Sequence, residues 1–222
     1  MKNRSLAGNC GIAVFIIALV TVALAFGTPS WIVSDSRIRG NQLERLGLWS
    51  HCFRSLPDPL DQYQRRFFVG CRWVYDPFTT GYDRILGYLL PGFMIATQFF
   101  FTICLLGVLI SAILVLVFFL CCGPDQSRFV LIIQSIGYIM LVAGISGCIA
   151  VIVFACFGNT EGWMPGHPNN YLGWSFGLGV VGSVACIITA ALFLTEANIQ
   201  SKKRNRLKES QARFEMEHES KA

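Results

Sequence analysis

The stretch ILGYLLPGFMIATQFFFTICLLGVLISAILVLVFFLCCG, residues 85–123, runs for 39 residues without an Asp, Glu, Lys, Arg or His. A bilayer core of about 30 Å takes about 20 apolar residues as one helix, with every backbone polar group satisfied inside the helix. The run is too long for one perpendicular span, and Pro91-Gly92 supplies a break. The reading places the span at residues 95–120, with Ile85 to Met94 as an outer apolar segment lying on a sheet or at the interface.

Three more apolar runs flank this one, at residues 10–28, 129–157 and 171–194, the first closed by Pro29 and the last ending before Glu196. The first follows Lys2 and Arg4 as a signal peptide would, but no A-x-A-like site is present and three spans follow, so it is read as an uncleaved anchor. Hydrophobic residues make up 54% of the 222, charged residues only 14%, and the mean hydropathy is +0.53. A soluble domain carries about 25% charged residues, so composition argues against a soluble enzyme.

The charges sit where four spans leave them. Lys202, Lys203, Arg204, Arg206 and Lys208 follow the last span almost directly. The positive-inside rule makes residues 195–222 a cytosolic tail, and an even number of spans puts residues 1–9 on the same side. Residues 29–94 are then the first outer segment, 121–128 a short cytosolic loop and 158–170 a second outer loop. The first outer segment is rich in arginine, but long loops translocate largely regardless of charge. The tail is expected to attract anionic inner-leaflet lipid through its basic start or to stay solvated without a partner.

No ionisable residue lies in the middle of a span, which argues against a pump, a transporter or an intramembrane protease. Gln98, Gln134 and Tyr138 are read as interhelical hydrogen-bonding groups. His51 and His167 are read as surface histidines and not as metal ligands. The chain has no phosphate-binding loop and no CxxC pair, so no catalytic residue, metal, cofactor or nucleic-acid partner is expected. Gly173 and Gly177 form a small-xxx-small pair suited either to packing within the bundle or to a dimer face. Cys121 and Cys122, at the inner membrane edge, are candidates for S-acylation or for plain interfacial packing.

The first outer segment is polar and long enough to fold. Trp31-Ile32-Val33, Leu46 to Phe53 and Phe67 to Tyr75 read as strands and turns. A sheet this small needs a staple, and Cys52 and Cys71 are the pair available within it.

Trp31, then Gly47-Leu48-Trp49, then Cys52 and Cys71 read W…GLW-x-x-C…C, which resembles the signature of the claudin superfamily. Arg84 resembles the arginine that closes that family's first loop, and the resemblance extends over all four spans, about residues 8–195. The wide gap between Cys52 and Cys71, the long uncharged stretch, Leu89-Leu90-Pro91-Gly92-Phe93 and residues 98–102 look most like the arthropod claudin-like proteins of septate junctions.

The resemblance implies a membrane all-α, left-handed four-helix transmembrane bundle carrying a small disulfide-stapled antiparallel extracellular β-sheet. It implies a structural component of occluding, septate-type cell–cell junctions that restricts paracellular diffusion across epithelia, at lateral contacts of the plasma membrane. The implied partners are other claudin-like and junctional membrane proteins in cis and trans, a cytosolic scaffold, and membrane lipid. The alternative is a peripheral-myelin-protein-like or channel-accessory four-span protein. Trp31 and the Gly47-Leu48-Trp49 turn are expected either to seat the sheet on the membrane surface or to pack in the core.

Overall fold

The computed structural model describes residues 5–35, 42–58, 61, 63, 65, 67–78, 86–121, 129–160, 163–164 and 167–219. Helix α1 (Leu6–Gly27) leads into strand β1 (Ile32–Ser34), then β2 (Leu43–Leu46), β3 (Ser50–Pro57) and β4 (Phe67–Trp73). One helical turn, α2 (Leu86–Leu89), precedes α3 (Gly92–Cys121) and α4 (Phe129–Phe157). Strand β5 (Asn170–Leu172) comes next, and α5 (Trp174–Glu219) closes the chain.

Four helices are long and apolar enough to cross a membrane. Large apolar side chains such as Ile16, Val20, Ile113, Leu131 and Val184 stand exposed around them, as lipid-facing surfaces require. The inward stripe of α1 is Gly8, Gly11, Phe15, Ala18, Val22 and Ala25, a three-and-four spacing that holds one face against its neighbours. In lipid, close packing replaces the hydrophobic drive, so helix contacts are made at small residues. A Cβ on Gly144 would lie 2.6 Å from Ile187, one on Gly137 2.7 Å from Leu194, and one on Gly182 2.7 Å from Val22.

The break at Pro91-Gly92 is smaller than expected. α3 begins at Gly92, not Ile95, because the amides of Met94 and Ile95 find the Pro91 carbonyl at 2.9 and 3.2 Å. The start of the last span moves the other way. Tyr171 and Leu172 belong to β5, and α5 begins at Trp174 and continues unbroken through the basic tail.

The sheet has five antiparallel strands in the order β4-β3-β2-β1-β5 and sits at one end of the bundle. Leu46 to Phe53 is not one strand. Its middle is the turn between β2 and β3, where the Gly47 amide meets the Ser50 carbonyl at 2.8 Å. β5, from the second loop segment, pairs Tyr171 with Val33 and so completes the sheet next to β1. Trp163, also from that segment, donates its indole N–H to the Tyr88 carbonyl at 3.0 Å and packs edge-on against Phe93.

Candidate functional site

The signature residues meet where the sheet sits on the bundle. Trp31 is fully buried, with the rings of Phe154, Phe101 and Phe176 set edge-on at 4.9, 5.2 and 5.7 Å. Its indole N–H donates to the Ala25 carbonyl at 2.7 Å, its amide to the Leu46 carbonyl, and its own carbonyl accepts from Gly173. One residue therefore ties the end of α1, the tops of α3, α4 and α5, and strand β2 together. Of the two readings left open by the sequence, the geometry gives Trp31 core packing.

Gly47 lies against the chain that leaves α1. A Cβ there would be 2.6 Å from the Pro29 Cα and 2.8 Å from the Thr28 carbonyl oxygen, contacts only glycine avoids. Leu48 is fully buried, and its carbonyl accepts from Gln98 Nε2 at 2.6 Å. Gln98 thus bonds the sheet turn and not a neighbouring helix, while Gln134 and Tyr138 lie on exposed helix surface. Trp49 is half-buried between Phe26 at 5.5 Å and Tyr75 at 6.4 Å. Its carbonyl accepts from the Val74 amide, which anchors the end of β4.

Cys52 and Cys71 face each other across β3 and β4 and are bonded, with Cα atoms 3.9 Å apart. By chain entropy a loop of this size contributes about 3 kcal/mol. Cys52 is buried and Cys71 exposed, so the bond joins the covered side of the sheet to its edge strand.

β4 is that edge. Phe67, Val69 and Trp73 are each more than half exposed and share one face with Cys71, since side chains alternate along a strand. Tyr75 continues the row, its ring 5.7 Å from Trp73. An edge strand with an exposed apolar face is a template for pairing unless something covers it. The opposite face of β4 is inward, with Phe68 and Val74 buried. The period-two pattern of residues 67–75 marks a strand, but only the sheet order shows that the strand is an edge.

Two buried groups went unread in the sequence. His51 is not on the surface. It is fully buried on β3, opposite Leu46 and Arg72, with Phe53 6.2 Å away, and neither ring nitrogen has a hydrogen-bond partner. Burial pulls its pKa down to about 4. Glu196, beyond the expected end of the last span, is also buried. It accepts from the Ser5 amide at 3.4 Å, from the Ser5 hydroxyl, and from Gln200 at 2.8 Å. Ser5 is the N-cap of α1 but makes no side-chain cap of its own. The α5 carboxylate takes that place at a helix N-terminus, where negative charge is favoured.

Other expected sites are placed differently. Gly173 lies before α5, packed on the Ser30 backbone and the Val33 side chain, and Gly177 meets nothing within 4 Å. The pair therefore forms no packing seam within the bundle. That seam is built by Gly137, Gly144 and Gly147 of α4 instead. Cys121 closes α3, while Arg84 and Cys122 lie outside the described residues.

The sequence matches a family model described as PMP-22/EMP/MP20/claudin tight junction over residues 16–195. That span runs from within α1 to the middle of α5 and includes all five strands. No curated protein matches the chain. With more than half of its length matched, four membrane-spanning helices and a disulfide-joined antiparallel sheet carrying the W…GLW-x-x-C…C residues, the chain belongs to the claudin superfamily.

Proposed function

We propose that this claudin-like protein is a structural component of an occluding, septate-type junction, where it restricts diffusion between epithelial cells. In this reading the sheet is extracellular and both chain ends are cytosolic, at lateral contacts of the plasma membrane. Its partners are further claudin-like and junctional membrane proteins, beside it and on the apposed cell, with a cytosolic scaffold at the tail. Cys121 and Cys122, close to the cytosolic face, would serve as S-acylation sites. The protein acts by packing and not by catalysis.

The observation that supports this best is the exposed row Phe67, Val69, Trp73 and Tyr75 on an edge strand that the disulfide holds to the rest of the sheet. A row of apolar and aromatic groups on a rigid frame close to the membrane suits side-by-side packing of membrane proteins.

The test is tracer exclusion in an epithelium lacking the protein. Loss should let small and large tracers pass while the cells remain polarised. Re-expression of the wild type should restore the seal, and Val69→Asp with Trp73→Ser should not, even at normal surface level. Intact exclusion without the protein, or full rescue by the double variant, would count against the junctional reading.

A further inference from the structure

An elongated groove of about 370 Å³ runs along the lipid-facing contact of α3 and α4. Its floor is Gly107 against Ala143, where a Cβ on the glycine would sit 2.8 Å from the alanine Cβ. Leu106 and Ile110 form one wall and Tyr138 and Val142 the other, all four prominently exposed. Only Tyr138 brings a polar group, and no described residue gives its hydroxyl a hydrogen-bond partner.

The groove has a direction. Tyr138 and Ile110 mark the end remote from the sheet, and Ile103 lies about 10 Å further along α3 from Ile110, where the lining is wholly apolar. α4, at 29 residues, is about 43 Å long and exceeds a bilayer core of about 30 Å by roughly 6 Å at each end. Tyr138 stands about 14 Å from the start of α4, so its backbone lies roughly 7 Å inside the hydrocarbon. Helical side chains lean toward the helix N-terminus, which carries its hydroxyl back toward the membrane face. A single polar group at the mouth and hydrocarbon behind it describe the counterpart of an amphiphile with one small polar head.

We propose that this groove binds a membrane sterol, with the sterol hydroxyl on Tyr138 and the ring system over the Gly107–Ala143 floor. Three features select a sterol over an acyl chain. The floor is shallow because its residues are small, so it fits a flat body. Ile110, Ile139 and Val142 are β-branched and stiff at χ1, so the walls keep one shape. A rigid ring system loses less conformational freedom against such walls than a flexible chain does. The hydroxyl then satisfies a phenol that otherwise lies unpaired beside hydrocarbon.

The test uses the full chain in phosphatidylcholine vesicles with a photoreactive diazirine sterol that keeps its free hydroxyl. Label should concentrate on the α3 and α4 peptides holding Leu106 and Val142, and unlabelled cholesterol should compete for it. Tyr138→Phe should lower labelling about fivefold, as loss of one hydrogen bond implies. Leu106→Trp, a change at a lipid-facing position that leaves the helix contacts intact, should abolish it. Label spread evenly over all four spans would overturn the proposal, as would label unchanged in both variants. A Val142→Cys disulfide to a second copy that persists in sterol-containing vesicles would also overturn it, since another chain would then cover the groove.

Discussion

Trp31 donates its indole N–H to the carbonyl of Ala25, six residues earlier, at 2.7 Å. Ala25 lies in the last turn of α1, where carbonyls have no partner within the helix. The tryptophan therefore caps the first span from above while its ring fills the space among three phenylalanines. Trp31→Phe keeps most of the ring contacts and leaves that buried carbonyl unpaired, a loss of about 1–3 kcal/mol. Trp31→Ala adds a cavity and should cost roughly 3–5 kcal/mol. Thermal unfolding of the detergent-purified protein measures both, and equal melting temperatures for wild type and Trp31→Phe would rule out the capping role.

Gly47→Ala should separate the sheet from the bundle. The added methyl meets backbone atoms of Thr28 and Pro29, which cannot rotate away as a side chain could. Overpacking of this kind costs about 1–3 kcal/mol. The expected result is reduced surface delivery and a Cys52–Cys71 bond more open to reductant, read by alkylation under graded dithiothreitol. Wild-type delivery and protection would show that the close approach is not needed.

Glu196 holds the start of α1 to α5 through Ser5. Removing the carboxylate in Glu196→Leu leaves both Ser5 donors and Gln200 without their acceptor. Hydrogen bonds to a charged group contribute about 1.5–3 kcal/mol. Ser5→Ala should cost less, because one backbone donor and Gln200 remain on the carboxylate. In a double-mutant cycle the Ser5 and Glu196 changes should be clearly non-additive. Strict additivity would mean that the two do not interact.

His51 makes the stability of the sheet depend on pH. The unfolded chain takes up a proton as pH falls below about 6.5, while burial holds off protonation of the folded form until about 4. Stability is therefore fully present above pH 6.5, declines as pH falls toward 4, and is level again below that, for a total loss of roughly 3 kcal/mol. His51→Leu should remove this part of the slope. It should also stabilise the protein at pH 7.4, because two unpartnered buried nitrogens go with it. Denaturation midpoints at several pH values check both, and an unchanged slope in the variant would refute the assignment.

The four spans and the strand around Cys71 were legible in the sequence because lipid and sheet impose periods on composition. A bilayer requires long uncharged runs, and a half-buried strand alternates, as residues 67–75 do. The Gly47-Leu48-Trp49 signature likewise pointed to the family. What each member does was decided only in three dimensions, since that depends on what lies opposite. Nothing local to Asn170–Leu172 announces a strand, because its partner β1 lies far back in the chain. His51 reads as polar until strands β2 and β4 close over it, and Glu196 reads as the first residue outside the membrane until Ser5 is brought against it. Gly173 and Gly177 show the reverse case. Their spacing is right for a helix contact, but α5 begins only after the first of them. Periodicity reports the environment that a segment needs. The contacts that meet this need join residues distant in sequence, so only the tertiary structure settles them.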